Sequence, residues 1–80
     1  MKIPVIKKLV ESYSIQQLQE AENAIMNEEL PIIEIEGGDE GEKLTHTLAA
    51  IFILDHIRQS GTDFPTALRE YTKKVRASIN

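Results

Sequence analysis

The sequence predicts an all-α domain of four short helices, with the third, a strongly hydrophobic one, at the centre. Three observations carry this. Residues 48–54 form an unbroken run of seven apolar side chains. The flanking segments repeat apolar residues at helical spacing. Capping and helix-breaking residues stand where those segments meet.

The apolar run lies within LTHTLAAIFILDHI, residues 44–57. Turned through about 100° per residue, its side chains cover the whole circumference, and a helix apolar all round must be enclosed by protein or by lipid. Spanning a bilayer takes ~20 apolar residues, and Lys43, Asp55 and Arg58 crowd this run. The expectation is therefore a helix over residues 41–60 wrapped by the rest of the chain and by a second copy. Phe52 and Ile53 point in different directions, and one layer of neighbouring helices does not cover both.

The other elements follow in order. Residues 3–12 read as the first helix: Pro4 suits its first turn, and Ile6, Leu9, Val10 and Tyr13 make one buried face. Ser14 reads as an N-cap, with Gln17 completing a capping box. The second helix is expected over residues 15–29, burying Ile15, Leu18, Ala21 and Ile25, with Pro31 ending it by forcing Leu30 out of helical geometry. Residues 32–36, IIEIE, alternate like a strand, Ile33 and Ile35 against Glu34 and Glu36. A lone strand leaves backbone groups unpaired. The segment therefore either drapes over its own core or pairs with its own copy across a two-fold axis. Like charges at Glu34 and Glu36 work against that pairing. GGDEG, residues 37–41, is a flexible turn, with Asp39 and Glu40 near the positive end of the central helix. Gly61 reads as that helix's C-cap. Thr62 or Asp63 caps a last helix over residues 64–79, whose stripe is Phe64, Leu68, Tyr71, Val75 and Ile79. The short SGTD link makes the last two helices antiparallel neighbours.

Eighty residues make a single domain, 1–80. A chain this short buries only ~60–65% of its unfolded surface, and disulfides, metal or oligomerisation usually compensate. The chain has no cysteine, so disulfides, thiolate zinc sites and thiol catalysis are excluded. Residues 1–10 carry Lys2, Lys7 and Lys8 without an apolar stretch behind them, so no signal peptide is expected and the setting is cytoplasmic. The net charge is −4, unevenly spread: residues 11–42 hold ten acidic residues and no Lys or Arg. The remaining segments hold nine basic and three acidic residues, a surplus of +6. This is either an acidic surface matched to a basic one or two solvated faces that never meet. A polyanion would meet the acidic half, which disfavours non-specific nucleic-acid binding.

MKIPVIKKLVESYSIQQLQEAE, IEIEGGDEGEKLTHTLAAIFI and GTDFPTALREYTKKVRASI together resemble a family of short bacterial proteins of about this length catalogued as a domain of unknown function. The resemblance covers nearly the whole chain. It implies a complete protein, and it brings no activity and no catalytic residues.

Candidate chemistry is sparse. Glu42 and His46 are i, i+4 on one helical face and, with Asp39 or Glu40, form an oxygen–nitrogen set suited to a divalent ion. The structural alternative is that the acids serve the helix dipole while His46 pairs with Glu42. His56 lies ~15 Å along the helix from His46 and does not join it within one chain. GGDEG lacks the Gly-Lys-Ser/Thr ending of a phosphate loop and is ringed by acids. It also fails the calcium-loop pattern. No serine sits in a nucleophile motif, and Asp55 and His56 point to different faces. Arg69, Lys73, Lys74 and Arg76 form a basic face on the last helix. Its charge comes late, whereas a DNA-reading helix places its base-contacting residues early.

The function expected is that of a protein–protein interaction module, a homodimer without catalytic activity or cofactor. Its contact would use Ile33, Ile35, Leu48, Ile51, Phe52 and Ile53, and an unknown protein partner is open beside self-association. The alternatives are a metal- or small-ligand-binding protein using Asp39, Glu42 and His46, and a nucleic-acid accessory using the basic face.

Overall fold

Four helix starts and stops are set by short-range hydrogen bonds. The computed structural model describes residues 2–79, with side chains through residue 77. The described residues form α1 (Ile3–Ser12), α2 (Ile15–Met26), α3 (Glu40–Ser60) and α4 (Phe64–Ile79), and no strand. Ser14 and Gln17 make the expected reciprocal capping box at α2. Asp39 Oδ1 accepts from the Glu42 N–H at 2.7 Å to cap α3. Asp63, of the two expected candidates, caps α4 by accepting from the Thr66 N–H at 3.0 Å. Gly61 ends α3 in the left-handed region, φ 69°, where glycine has no Cβ to clash.

The α2 terminus departs from expectation. The helix stops at Met26, three residues short of Glu29. The Glu28 N–H donates to the Ile25 carbonyl and the Glu29 N–H to the Ala24 carbonyl. Glu28 itself has φ 60°. This is a Schellman closure with glutamate where glycine is usual. The missing glycine hid the stop, and Pro31 was a later barrier than the one that acts.

α1, α2 and α4 each pack on α3 and scarcely on one another. The core is Ile6 and Leu9 of α1, Leu18, Ala21 and Ile25 of α2, Ala49, Ala50 and Ile53 of α3, and Ala67 of α4, with Ile35 added from the extended segment. Alanines at 49, 50 and 67 let the helix axes approach closely. On α4 the inward stripe runs through Ala67, which the predicted stripe omitted. Val75 is instead exposed, and the Ile79 side chain lies outside the described residues.

The central helix is less enclosed than its composition predicts. Ala49, Ala50 and Ile53 are buried, Ile51, Phe52 and Leu54 are half-buried, and Leu48 is 42% exposed. Three helices cover three sides of α3, so one side of the 48–54 run faces water in a single chain. No described helix is long and apolar enough to cross a membrane.

Residues 32–36 drape over the chain's own core: Ile35 is buried and Ile33 half-buried, while Glu34 and Glu36 face out. Of the two arrangements left open, this is the one the single chain adopts.

Candidate functional site

The residues expected to hold a metal sit together at the start of α3, but each is committed to the backbone. Asp39 caps the helix. Glu42 Oε1 accepts from the Gly38 N–H at 2.6 Å, and that bond holds its carboxyl below the usual glutamate range. His46 is fully buried. Its Nε2 accepts from the Lys2 N–H at 2.9 Å, and its Nδ1 lies 2.8 Å from the Glu36 carbonyl oxygen. A main-chain N–H only donates and a carbonyl only accepts, so the ring is the neutral tautomer with its proton on Nδ1. No lone pair is left for an ion. Among the described residues no group of three His, Cys, Asp or Glu has metal-binding geometry. In this arrangement the His46 ring is not free to complete a divalent-ion set with Asp39 and Glu42. His46 is a clasp between the start of α1, the end of the extended segment and α3.

His56, one face of α3 further on, stacks against Phe52 with centroids 6.1 Å apart and planes at 10°. Phe52 also meets Tyr71 of α4 at 5.5 Å. Burial raises the Tyr71 hydroxyl above the usual tyrosine value.

The basic face divides. Lys74 Nζ lies 4.9 Å from the Phe52 ring centroid, turned toward α3 in a cation–π contact. Arg69, Lys73 and Arg76 line a shallow groove with Leu68 and Thr72. Lys73 also reaches Glu70 at 3.5 Å.

The expected interface divides as well. Ile35 and Ile53 are buried inside the chain and have no surface left for a partner. Ile33, Ile51 and Phe52 are half-buried, and Leu48 is exposed. The most exposed apolar side chains are ones the interface expectation did not name: Met26 at 66%, Leu30 at 93% and Ile32 at 97%. Leu30 and Ile32 stand beside a groove of about 260 Å³ between α2 and the extended segment. Ala21, Ala24 and Ile33 line it with them, and Glu20 and Glu29 give it acidic edges. A signal for Ile32 was present: at a period of two it shares a face with Glu34 and Glu36, the outward face. Leu30 carries none: Pro31 predicts that it leaves helical geometry, but not whether its side chain is covered.

Comparison with curated proteins and with solved structures gives no match. A family model, described as a family of unknown function (DUF6952), matches residues 1–80. The chain therefore belongs to that family along its whole length.

Proposed function

We propose that the protein is a protein–protein interaction module that works as a cytoplasmic homodimer, with no catalytic role for any residue. The observation that supports this most directly is the exposure of Leu30 and Ile32, 93% and 97%, with Met26 at 66% close by. Single exposed apolar residues are ordinary, but three large ones within seven positions, bordered by Glu28, Glu29 and Glu34, have the make-up of a contact surface. Sheltering a Leu or Ile from water contributes about 1.5–3 kcal/mol, a gain that a small domain with a thin core can use. The open side of α3 at Leu48 adds apolar surface that one chain leaves wet. The contact is thus centred on residues 26–33, and not on the buried Ile35 and Ile53.

Sedimentation equilibrium tests the reading. The expected particle has twice the 9.0 kDa chain mass. Replacing Leu30 and Ile32 by Asp should return it to a single chain with unchanged helical circular dichroism, because neither side chain supports the fold. A 9.0 kDa wild-type particle at ~1 mM chain would overturn it.

A further inference from the structure

Two exposed features of the chain match in shape class and oppose in charge. The first is the groove between α2 and residues 29–33, apolar inside and edged by Glu20 and Glu29. Glu22 and Glu28 lie in the same stretch, which carries no Lys or Arg at all. The second is the outer face of α4. Its apolar positions are Leu68, half-buried against the chain's own core, and Val75, 36% exposed, with the half-buried Thr72 between them. Arg69, Lys73 and Arg76 repeat at the same spacing one position on, making a basic stripe alongside them. An amphipathic helix with a basic margin is the occupant that an apolar groove with acidic edges selects.

We infer that the groove of one copy receives α4 of a second copy, with Arg69 and Arg76 facing Glu20 and Glu29. The inference rests on the homodimer reading above and names the seating of its contact. In a two-fold pair each chain gives its α4 and receives its partner's, so the contact occurs twice. The two halves of the charge asymmetry then neutralise each other across the interface. The association is steered by charge and weakens as salt screens it.

The test is a charge exchange read by sedimentation velocity. One variant carries Glu20→Lys and Glu29→Lys, and a second carries Arg69→Glu and Arg76→Glu. All four positions are exposed, and helical circular dichroism checks that each variant folds. Each variant alone should dimerise at least tenfold more weakly than wild type, since its groove and its α4 then have the same sign. An equimolar mixture should recover association, because each groove again meets an opposite α4. Variants that dimerise alone like wild type would overturn the α4 seating while leaving the homodimer intact. A wild type that stays monomeric removes both. Retention of duplex DNA on α4 at ~50 mM salt, with self-association untouched by the reversals, would instead assign the basic stripe to a polyanion.

Discussion

The two ends of α3 hold their neighbours by different physics. At the N-terminal end the contacts are polar and directional: His46 to the Lys2 N–H and the Glu36 carbonyl, Glu42 to the Gly38 N–H, Asp39 to the helix start. Gly37 belongs to this end too. A Cβ there would lie 3.0 Å from the Lys43 nitrogen and 2.8 Å from its Cγ, closer than atoms in contact allow. Toward the C-terminal end the contacts are broad and apolar, with Phe52 between His56 and Tyr71 and Lys74 over its ring. The polar end specifies geometry, because an unmet buried donor or acceptor costs about 1–3 kcal/mol. The aromatic end supplies area and tolerates a change of shape.

The contrast is open to direct attack. The largest effect is expected from His46→Ala, which leaves the Lys2 N–H and the Glu36 carbonyl unmatched and opens a cavity. We expect a loss of about 2–4 kcal/mol, a fall in melting temperature above ~10 °C for a chain of this size. Chemical denaturation measures it. Phe52→Ala should cost less, about 1.5–2.5 kcal/mol, because the ring is only half-buried, and Phe52→Leu should recover most of that. Should Phe52→Ala prove the costlier of the two, the ranking of the two ends is wrong.

A smaller effect of opposite sign is expected at the end of α2. Gly61 and Glu28 adopt the same left-handed backbone, at φ 69° and 60°, but only one of them is glycine. Glu28→Gly should raise stability by about 0.5–1 kcal/mol, the relief of the Cβ clash less the added freedom of the unfolded chain. A loss in the same denaturation experiment would mean that the Glu28 side chain has a stabilising contact.

The smallest effect is a pH dependence at the helix-capping carboxylates. Glu42, through the Gly38 bond, and Asp63, through its bonds from Thr66, both titrate below their usual values. A depressed folded pKa means a contribution fully present above the unfolded value and lost as pH falls through the folded one. The melting-temperature gap between wild type and Glu42→Gln should therefore hold above pH ~5 and close as pH drops below ~4. A gap that persists at pH ~2 would show that the carboxylate charge is not its source.

Much of the fold was legible in the sequence because its signals are local. The Ser14–Gln17 box, the Asp63 cap, Gly61 and the apolar stripes of α1 and α2 all lie within one or two turns of what they control. The site was less legible. Asp39, Glu42 and His46 do share one region, as their spacing predicts, but i, i+4 proximity does not reveal which backbone groups from elsewhere will occupy them. The interface expectation failed at Ile35 and Ile53 for a related reason: apolar character predicts burial without saying whether the same chain or a second one provides it.

By itself, then, the sequence determined four helices, the Ser14–Gln17 box and the Gly61 cap, an apolar third helix and an acidic middle set against basic ends, since each follows from neighbours along the chain. Only the tertiary structure decided that His46 joins a residue 44 positions away, that α2 closes on a left-handed glutamate, and that Leu30 and Ile32 remain in water. These depend on which surfaces three flanking helices reach when they share one central helix, and that is a property of packing in space, to which spacing along the chain is blind.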